Sequence, residues 1–358
     1  MHGAPSAFAI LEETMTTTNI IVDAINEPGA TYDSVAKRFG RSRGWVHHYL
    51  KMAGALKNQE RRERRNKERL NAILDTVADM DVMSFLLTKV PPNSVNAIIT
   101  SPPYNIGKPY GGRGRNDLMP WGAYRGWMRV IMCLCARALA HGGVIAIQVG
   151  TTKDNLGRRR RIDCFLDDDL RDEGLVYQNT IASLAQHGLT PSKRLAERWE
   201  SVLVYRKGED GVFNANAAAT PQKHPGKRAF KGPRKGELSG RPLGAWPTDV
   251  WNIEHVKANH RERKWNHPAA YSEDFCRRLI LLYTNAGDVV MDPFMGSGTT
   301  GACAVALGRR FIGTDLYCAE LARKRIAMAV PDLFTPFPGV TEQSMALRSK
   351  SQQLAIAS

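Results

Sequence analysis

Ala97-Ile98-Ile99-Thr100-Ser101-Pro102-Pro103-Tyr104-Asn105 is the stretch from which the rest of the chain can be placed. Ala97 to Thr100 read as the end of a buried strand. Ser-Pro-Pro then stops it, because neither proline can donate to a sheet ladder. The residues after the stop sit at a strand's carboxyl end, where open α/β sheets bind ligands. Tyr104 can stack on a flat ring. The Ser101 hydroxyl and a proline carbonyl can accept hydrogen bonds from an exocyclic amino group, and Asn105 adds an amide. Pro-Pro after a strand is by itself equally a plain turn; the full string Thr-Ser-Pro-Pro-Tyr-Asn is far more specific.

A second stretch has the logic of a nucleotide-binding unit. Asp288 to Met291 reads as a strand, and Asp292-Pro293-Phe294-Met295-Gly296-Ser297-Gly298 as a glycine turn. The helix Thr299 to Leu307, closed by Gly308, and the strand Phe311 to Thr314 follow, ending at Asp315. Gly296 and Gly298 let backbone approach a ligand closely. An acid at Asp315 can bind both ribose hydroxyls. Neither GxGxxG nor GxxxxGK[ST] is present. A cradle without a phosphate grip, ending in a ribose-binding acid, suits S-adenosylmethionine, a cationic nucleoside. Asp292 is placed to hold its amino-acid part, directly or through water. A glycine turn with a purely structural purpose is the plain alternative.

The 358 residues leave room for one large α/β domain and a small one, and 43% hydrophobic residues support a substantial core. A formal net charge of +15 points to a polyanionic partner, although a generally basic soluble protein carries such a charge too. Cys133, Cys135, Cys164, Cys276, Cys303 and Cys318 include no CxxC pair, and several lie in apolar segments. Buried free thiols are therefore expected, rather than disulfides or a metal site. No apolar run reaches membrane-spanning length and the N-terminus lacks a signal-peptide core, so a cytoplasmic location is expected.

Residues 1–58 read as a small helical domain. Ile20, Ile21, Ala24 and Ile25 have helical spacing over Asn19 to Asn26. Thr31 caps a short helix with Val35, Ala36 and Phe39 inside, Gly40 turns, and Ser42 caps a second helix. Ala36, Gly40 and Val46 fall at the spacing of a helix-turn-helix, which would turn Arg41, Arg43, His47, His48 and Lys51 toward DNA. A helical hairpin used only for packing is the alternative. Residues 59–71, nearly all charged, read as a solvated linker helix. Residues 72–208 form one half of the large domain. Its expected strands are Ala72 to Asp79, Val95 to Thr100, Val144 to Val149, Val176 to Leu184 and Ser201 to Tyr205. Its expected helices are Asp81 to Leu87, Trp121 to Ala140 and an acidic one ending at Glu173. Ile106 to Asn116, rich in glycine and arginine, is a candidate lid or DNA clamp, or a surface loop.

Residues 209–264 change character. Lys223, His224, Lys227, Arg228, Lys231, Arg234, Lys235 and Arg241 are interleaved with Gly, Pro and Phe230, with little hydrophobic periodicity. This is a candidate recognition insertion, its phosphate contacts giving affinity and its base-edge contacts giving sequence choice; a solubilising insertion is the alternative. Residues 265–330 complete the large domain, with helices expected over Pro268 to Tyr283 and Leu316 to Ala329, and 331–358 read as a weakly ordered tail.

Ser101-Pro102-Pro103-Tyr104 resembles the catalytic motif of the DNA amino-methyltransferases, which methylate adenine N6 or cytosine N4. Together with the glycine turn it makes the chain similar to the β-class, in which the catalytic motif precedes the cofactor motif and the recognition region lies between. Asn266-His267-Pro268 resembles the cofactor-site segment just upstream of the glycine motif. Ala78-Asp79 resembles a Gly-Asp near the cofactor's adenine, with Ala in place of Gly and a shortened spacing. The resemblance covers about residues 72 to 330 and implies a doubly wound α/β fold dependent on S-adenosylmethionine, acting on a flipped-out base of double-stranded DNA. It implies catalytic roles for Ser101, Pro102, Pro103 and Tyr104. Cofactor contacts would come from Asp292, Pro293, Phe294, Gly296, Ser297, Gly298, Asp315, Asn266, His267 and Asp79. DNA contacts are expected from Arg41, Arg43, His47, Lys227, Arg228, Lys231, Arg234 and Lys235.

The chemistry follows from the amine. Conjugated to its ring, it is a poor nucleophile, and hydrogen bonds to Ser101 Oγ and the Pro102 or Pro103 carbonyl would localise its lone pair. No Pro-Cys pair is present, as cytosine-C5 transfer would need. In the family, Ser at the first motif position leans toward cytosine N4 and Asp toward adenine N6, so cytosine N4 is the expectation and adenine N6 the alternative. A DNA-binding regulator with an inactive core, and an RNA or protein amide methyltransferase, are the readings from other classes. A cognate restriction endonuclease, and a monomeric or homodimeric state, are left open.

Overall fold

The computed structural model describes residues 21, 32–39, 41–110, 116–184, 191–241, 244–253, 256, 261–265 and 267–330. The chain divides into two compact units, Met1–Glu68 and Arg69–Ser358. In the first, helix α1 (Tyr32–Arg38) is followed by α2 (Arg43–Asn71). Ile21, Val35, Ala36 and Val46 are buried, with Phe39, Trp45 and Leu50 packed against them. Ser42 Oγ accepts from Trp45 N at 3.2 Å, as a capping residue does. The charged run 59–71 is not a separate linker helix. It continues α2 without a break, because it holds neither glycine nor proline and its side chains are strong helix formers. The rest of the expected helix at Asn19 to Asn26 lies outside the described residues.

The second unit is built on an eight-stranded sheet in the order β1-β10-β9-β2-β3-β7-β6-β8. In chain order its elements are β1 (Thr76–Ala78), α3 (Val82–Thr88), β2 (Val95–Thr100), α4 (Trp121–Ala138), β3 (Leu139–Val149), β4 (Thr151–Lys153), β5 (Arg159–Arg161), α5 (Ile162–Asp172), β6 (Leu175–Leu184), β7 (Trp199–Lys207) and β8 (Val250–Trp251). A 3-10 turn (Arg261–Trp265), α6 (Glu273–Tyr283), β9 (Val289–Asp292), α7 (Thr299–Ala306), β10 (Arg310–Thr314) and α8 (Ala319–Ala327) follow. β1, β10, β9, β2 and β3 run parallel; β7 is antiparallel to both its neighbours. Helices cover both faces, as parallel strands require. Ile98, Ile145, Leu203, Met291 and Ile312 face the layer of α3, α4 and α5. Their neighbours Ile99, Val144, Val202, Val290 and Phe311 face α6, α7 and α8. This is a doubly wound α/β fold.

Several element limits differ from expectation for identifiable reasons. The first strand begins at Thr76 rather than Ala72, since α2 and a turn occupy the preceding residues. α4 ends at Ala138, before His141-Gly142-Gly143, because Leu139 already has extended backbone and Val95 pairs with it. Pro268 to Tyr271 are not helical; α6 starts only after Ser272, whose Oγ accepts from Phe275 N at 3.4 Å. The segment 209–264 is not a free insertion either. Ala218 and Trp251 are core residues, and β8 pairs with β6. Between them, 221–241 is turn-rich and largely exposed. Among the described residues the cysteines are free thiols, Cys135, Cys276 and Cys303 being buried, and no helix is long and apolar enough to cross a membrane.

Candidate active site

β2 and β9 are adjacent and parallel, and the chain leaves them toward opposite sides of the sheet. Their carboxyl ends therefore form a switch point, where a crevice opens. Both motifs lie here. Thr100 Oγ1 donates to Asp292 Oδ1 at 2.7 Å, joining residues 192 apart in sequence. A cavity of about 450 Å³ is lined by Ser101, Pro102, Pro103 and Tyr104 on one side. Pro293, Phe294, Gly296, Ser297, Asp315 and His267 line it on the other.

On the first side, the Pro103 carbonyl accepts from Tyr124 OH at 2.8 Å. The Tyr104 hydroxyl meets Ser101 Oγ at 3.4 Å, the Gln148 carbonyl at 3.4 Å and Glu200 Oε2 at 3.3 Å. Gln148 Nε2 donates to the same carboxylate oxygen at 2.7 Å. Glu200 and the Gln148 carbonyl only accept, so the Tyr104 proton points away from Ser101, whose hydroxyl donates to the phenol oxygen. That leaves the lone pairs of Ser101 as acceptors for an amino group. Burial, with the Glu200 carboxylate adding to it, pushes the Tyr104 phenol well above its ordinary range, so it stays neutral. Its ring lies against Gly150, where a Cβ would come within 3.0 Å of it.

The Asn105 amide is not presented to the cavity. It exchanges hydrogen bonds with the Met119 backbone at 2.5 and 3.0 Å, from a left-handed backbone at φ 59°. The loop that follows is pinned at both ends. Asp117 accepts from the backbone N–H of Ile106, Gly107 and Lys108, and Lys108 Nζ donates to the Pro268 carbonyl at 3.0 Å. Residues 111–115 of the candidate lid lie outside the described residues.

On the second side, Asp292 is 1% exposed and does not line the cavity. Its carboxylate accepts from Thr100, Thr300 (2.6 Å), Tyr271 OH (2.9 Å) and Phe294 N (3.0 Å). Burial pushes its pKa up, against the pull of these donors. It ties the turn to β2, and the expected contact with a ligand's amino-acid group is absent from the cavity lining formed by the described residues. Gly298 is likewise structural: at φ 84°, a Cβ there would lie 2.8 Å from Ala322 backbone. Gly296 is the residue of close approach, with a Cβ position 3.0 Å from the His267 ring and N–H donating to Asp315 Oδ2 at 2.9 Å. Asp315 also accepts from Tyr317 N and Cys318 N, which fixes its carboxylate at the cavity wall. His267 is buried beside it, and burial holds its imidazole down at about 4.

Asp79 is exposed and off the cavity wall; Met80, Asp81 and Val82 line it instead, Asp81 also capping α3. Asn266 lies outside the described residues. Ser297 Oγ and Thr299 Oγ1, both on the wall, accept from Arg325 Nη1 at 3.0 and 2.8 Å. Arg325 is 2% exposed and ion-paired with Glu262 and Glu273. Gln148, Glu200, Asp117 and Arg325 were not found by sequence reasoning, since no local motif marks them. Arg41 and His47 are exposed on the first unit. Lys227, Arg228, Lys231, Arg234 and Lys235 are exposed on the second. Nothing described of Arg43 extends beyond its backbone.

A family model described as DNA methylase, of the adenine-N6 and cytosine-N4 type, matches residues 95–323. The chain belongs to that family. It is 38% identical over 243 residues to Type II methyltransferase M.BglII of Bacillus subtilis, covering 68% of this chain and 66% of that protein. It is 31% identical over 234 residues to DNA adenine methyltransferase YhdJ of Escherichia coli K12, covering 64% and 74%. The fold is that of PvuII DNA methyltransferase, described as cytosine-N4-specific, with a TM-score of 0.52 at 17% identity over 76% of this chain and 93% of that one. S-adenosylmethionine is the cofactor of this N6/N4 methylase. The cavity fits it: the backbone of Gly296 on its wall, the Asp315 carboxylate held there by three backbone N–H groups, and a volume of the size that holds a small ligand.

Proposed function

We propose that this N6/N4 methylase is a site-specific methyltransferase of double-stranded DNA whose acceptor is the N4 amino group of a flipped-out cytosine. The observation that carries the reading is the single cavity shared by the Ser101-Pro102-Pro103-Tyr104 wall and the Gly296–Asp315 cradle. Bound S-adenosylmethionine supplies an electrophilic methyl sulfonium; Asp315, Gly296 and the wall at Phe294 would hold it. The flipped base enters from the other side, and its amino group donates to Ser101 Oγ. Tyr124 engages the Pro103 carbonyl, so the Pro102 carbonyl is the second acceptor. Two acceptors in the plane of the amine draw its lone pair out of conjugation, and positioning does the rest. Glu200 and Gln148 keep Tyr104, and through it Ser101, turned for this task.

Ser101 in place of a carboxylate supports cytosine. The 31% identity to a protein named DNA adenine methyltransferase supports adenine N6 as the second reading. The +15 charge supports duplex binding, with Arg41, Arg43 and His47 of a helix-turn-helix and the basic residues of 221–241 as its contacts. Relatives named Type II methyltransferases support a partner endonuclease. Incubation with unmethylated DNA and labelled S-adenosylmethionine, followed by digestion and mass spectrometry, tests the assignment. N4-methylcytosine is the expected product. N6-methyladenine would overturn the base, and no methylated nucleoside would overturn the reaction.

A further inference from the structure

The basic segment contains a built finger. Ser239 N donates to the Lys227 carbonyl at 2.8 Å, Ala229 N to Glu237 O at 2.8 Å, and Gly236 N to Ala229 O at 2.9 Å. Arg228 faces Leu238 as an antiparallel bridge, and its Nη1 also donates to the Gly236 carbonyl at 2.6 Å. Arg234 pairs with Glu237 at 2.9 Å. Gly232 and Gly236, at φ 82° and 86°, make the reversal that side chains disfavour. The tip is therefore Phe230-Lys231-Gly232-Pro233-Arg234-Lys235, held by its own backbone bonds.

Phe230 stands on this tip 90% exposed. Around it on the finger are Lys227, Arg228, Lys231, Arg234 and Lys235, against Glu237 as the one acid of residues 227–239. A scattered apolar residue on a surface needs no explanation. An aromatic ring at the tip of a hydrogen-bonded finger, with five exposed cations among residues 227–235, is a different arrangement. Cations match phosphates, and a flat apolar ring matches the face of a base.

We propose that Phe230 is a wedge that enters the base stack of duplex DNA beside the nucleotide that leaves it, while the surrounding cations hold the flanking phosphates. This rests on the DNA methyltransferase reading and extends it to how the target is opened. Extracting a base unstacks its neighbours, and an inserted apolar side chain restores contact to the exposed faces. The finger is fixed before DNA arrives, so the ring is ordered at little entropic cost on binding.

The wedge and the phosphate contacts differ in salt dependence, which gives the test. The probe is a fluorescent duplex carrying the methylated site mapped from the product, with 2-aminopurine at the target position, titrated by anisotropy at several salt concentrations. Phe230→Ala is expected to weaken binding about tenfold or more at every salt concentration, and to lower the 2-aminopurine signal. The slope of log K against log salt should stay at the wild-type value, and Phe230→Trp should restore affinity. Lys231→Ala and Lys235→Ala should each reduce that slope by about 0.9. Phe230→Ala binding as tightly as wild type would overturn the wedge, and so would a lowered slope, which would mean that the ring only supports the lysines. A wild type that neither methylates nor binds duplex DNA overturns the proposed function and the wedge together.

Discussion

Replacing Arg325 by Met should destabilise the large unit strongly and loosen the cofactor wall. The side chain is 2% exposed, and its Nη2 lies 2.7 Å from Glu262 Oε2 and 2.9 Å from Glu273 Oε1. Its Nη1 holds Ser297 and Thr299. Burial alone would lower its pKa, yet the hydrogen bonds to Glu273 and Glu262 hold it above the ordinary value, so the cluster favours the charged form. Met fills most of the volume and takes the Arg325 guanidinium away from Glu262, 4% exposed. Breaking a buried ion pair by removing one partner costs about 3–5 kcal/mol. Glu262 keeps the Glu273 N–H as a donor at 3.0 Å, which places the cost near about 3 kcal/mol. With a urea m-value of about 3 kcal/mol/M for a unit of this size, the midpoint should fall by about 1 M. Tryptophan fluorescence in a urea series measures it. The double variant Arg325→Met, Glu262→Met should recover much of the loss, since an apolar set of similar volume replaces the ions. A single variant within about 0.5 kcal/mol of wild type would refute the reasoning; so would a double variant no better than the single one. Calorimetry should also show weaker S-adenosylmethionine binding in the single variant, because Ser297 and Thr299 lose their donor.

Gly298→Ala should cost about 2–4 kcal/mol, combining a left-handed backbone at φ 84° with a Cβ 2.8 Å from Ala322 backbone; a wild-type urea midpoint would show that α8 can move aside. His267 carries a pH dependence whose sign is fixed by its burial. The unfolded chain takes up this proton at about 6.5 and the fold only at about 4, so stability falls as pH drops through that window, by about 3 kcal/mol in full. His267→Gln should abolish that share of the loss between pH 7 and 4.5, and parallel pH curves for the two proteins would contradict the assignment.

Much of the fold was legible because it is written in short-range pattern. The strand Val95 to Thr100, its stop at Ser-Pro-Pro, the glycine turn and the helix after it lie within a residue of their expected limits. Steric and hydrogen-bond constraints within a few residues decide these elements. The charged helix was legible as a helix but not as the continuation of α2, since the change of composition at residue 59 reads as a boundary although no glycine or proline of 59–71 breaks the helix. The core role of Trp251 was hidden because a two-residue strand has no periodicity to read.

By itself, then, the sequence located the parts on which the proposed chemistry rests: a strand stopped at Ser101 to Tyr104, and a glycine turn whose following strand ends at Asp315. Tertiary structure alone decided how they meet. Sheet order sets β2 beside β9, and only then does the Asp292 carboxylate meet Thr100 and tie the glycine turn to the neighbouring strand. The same order brings Gln148 from β3 and Glu200 from β7 to Tyr104, and α8 carries Arg325 under Ser297. Such contacts join residues from separate elements whose meeting depends on which strands pair. That choice is made by the burial of whole faces, and no local run of residues records it.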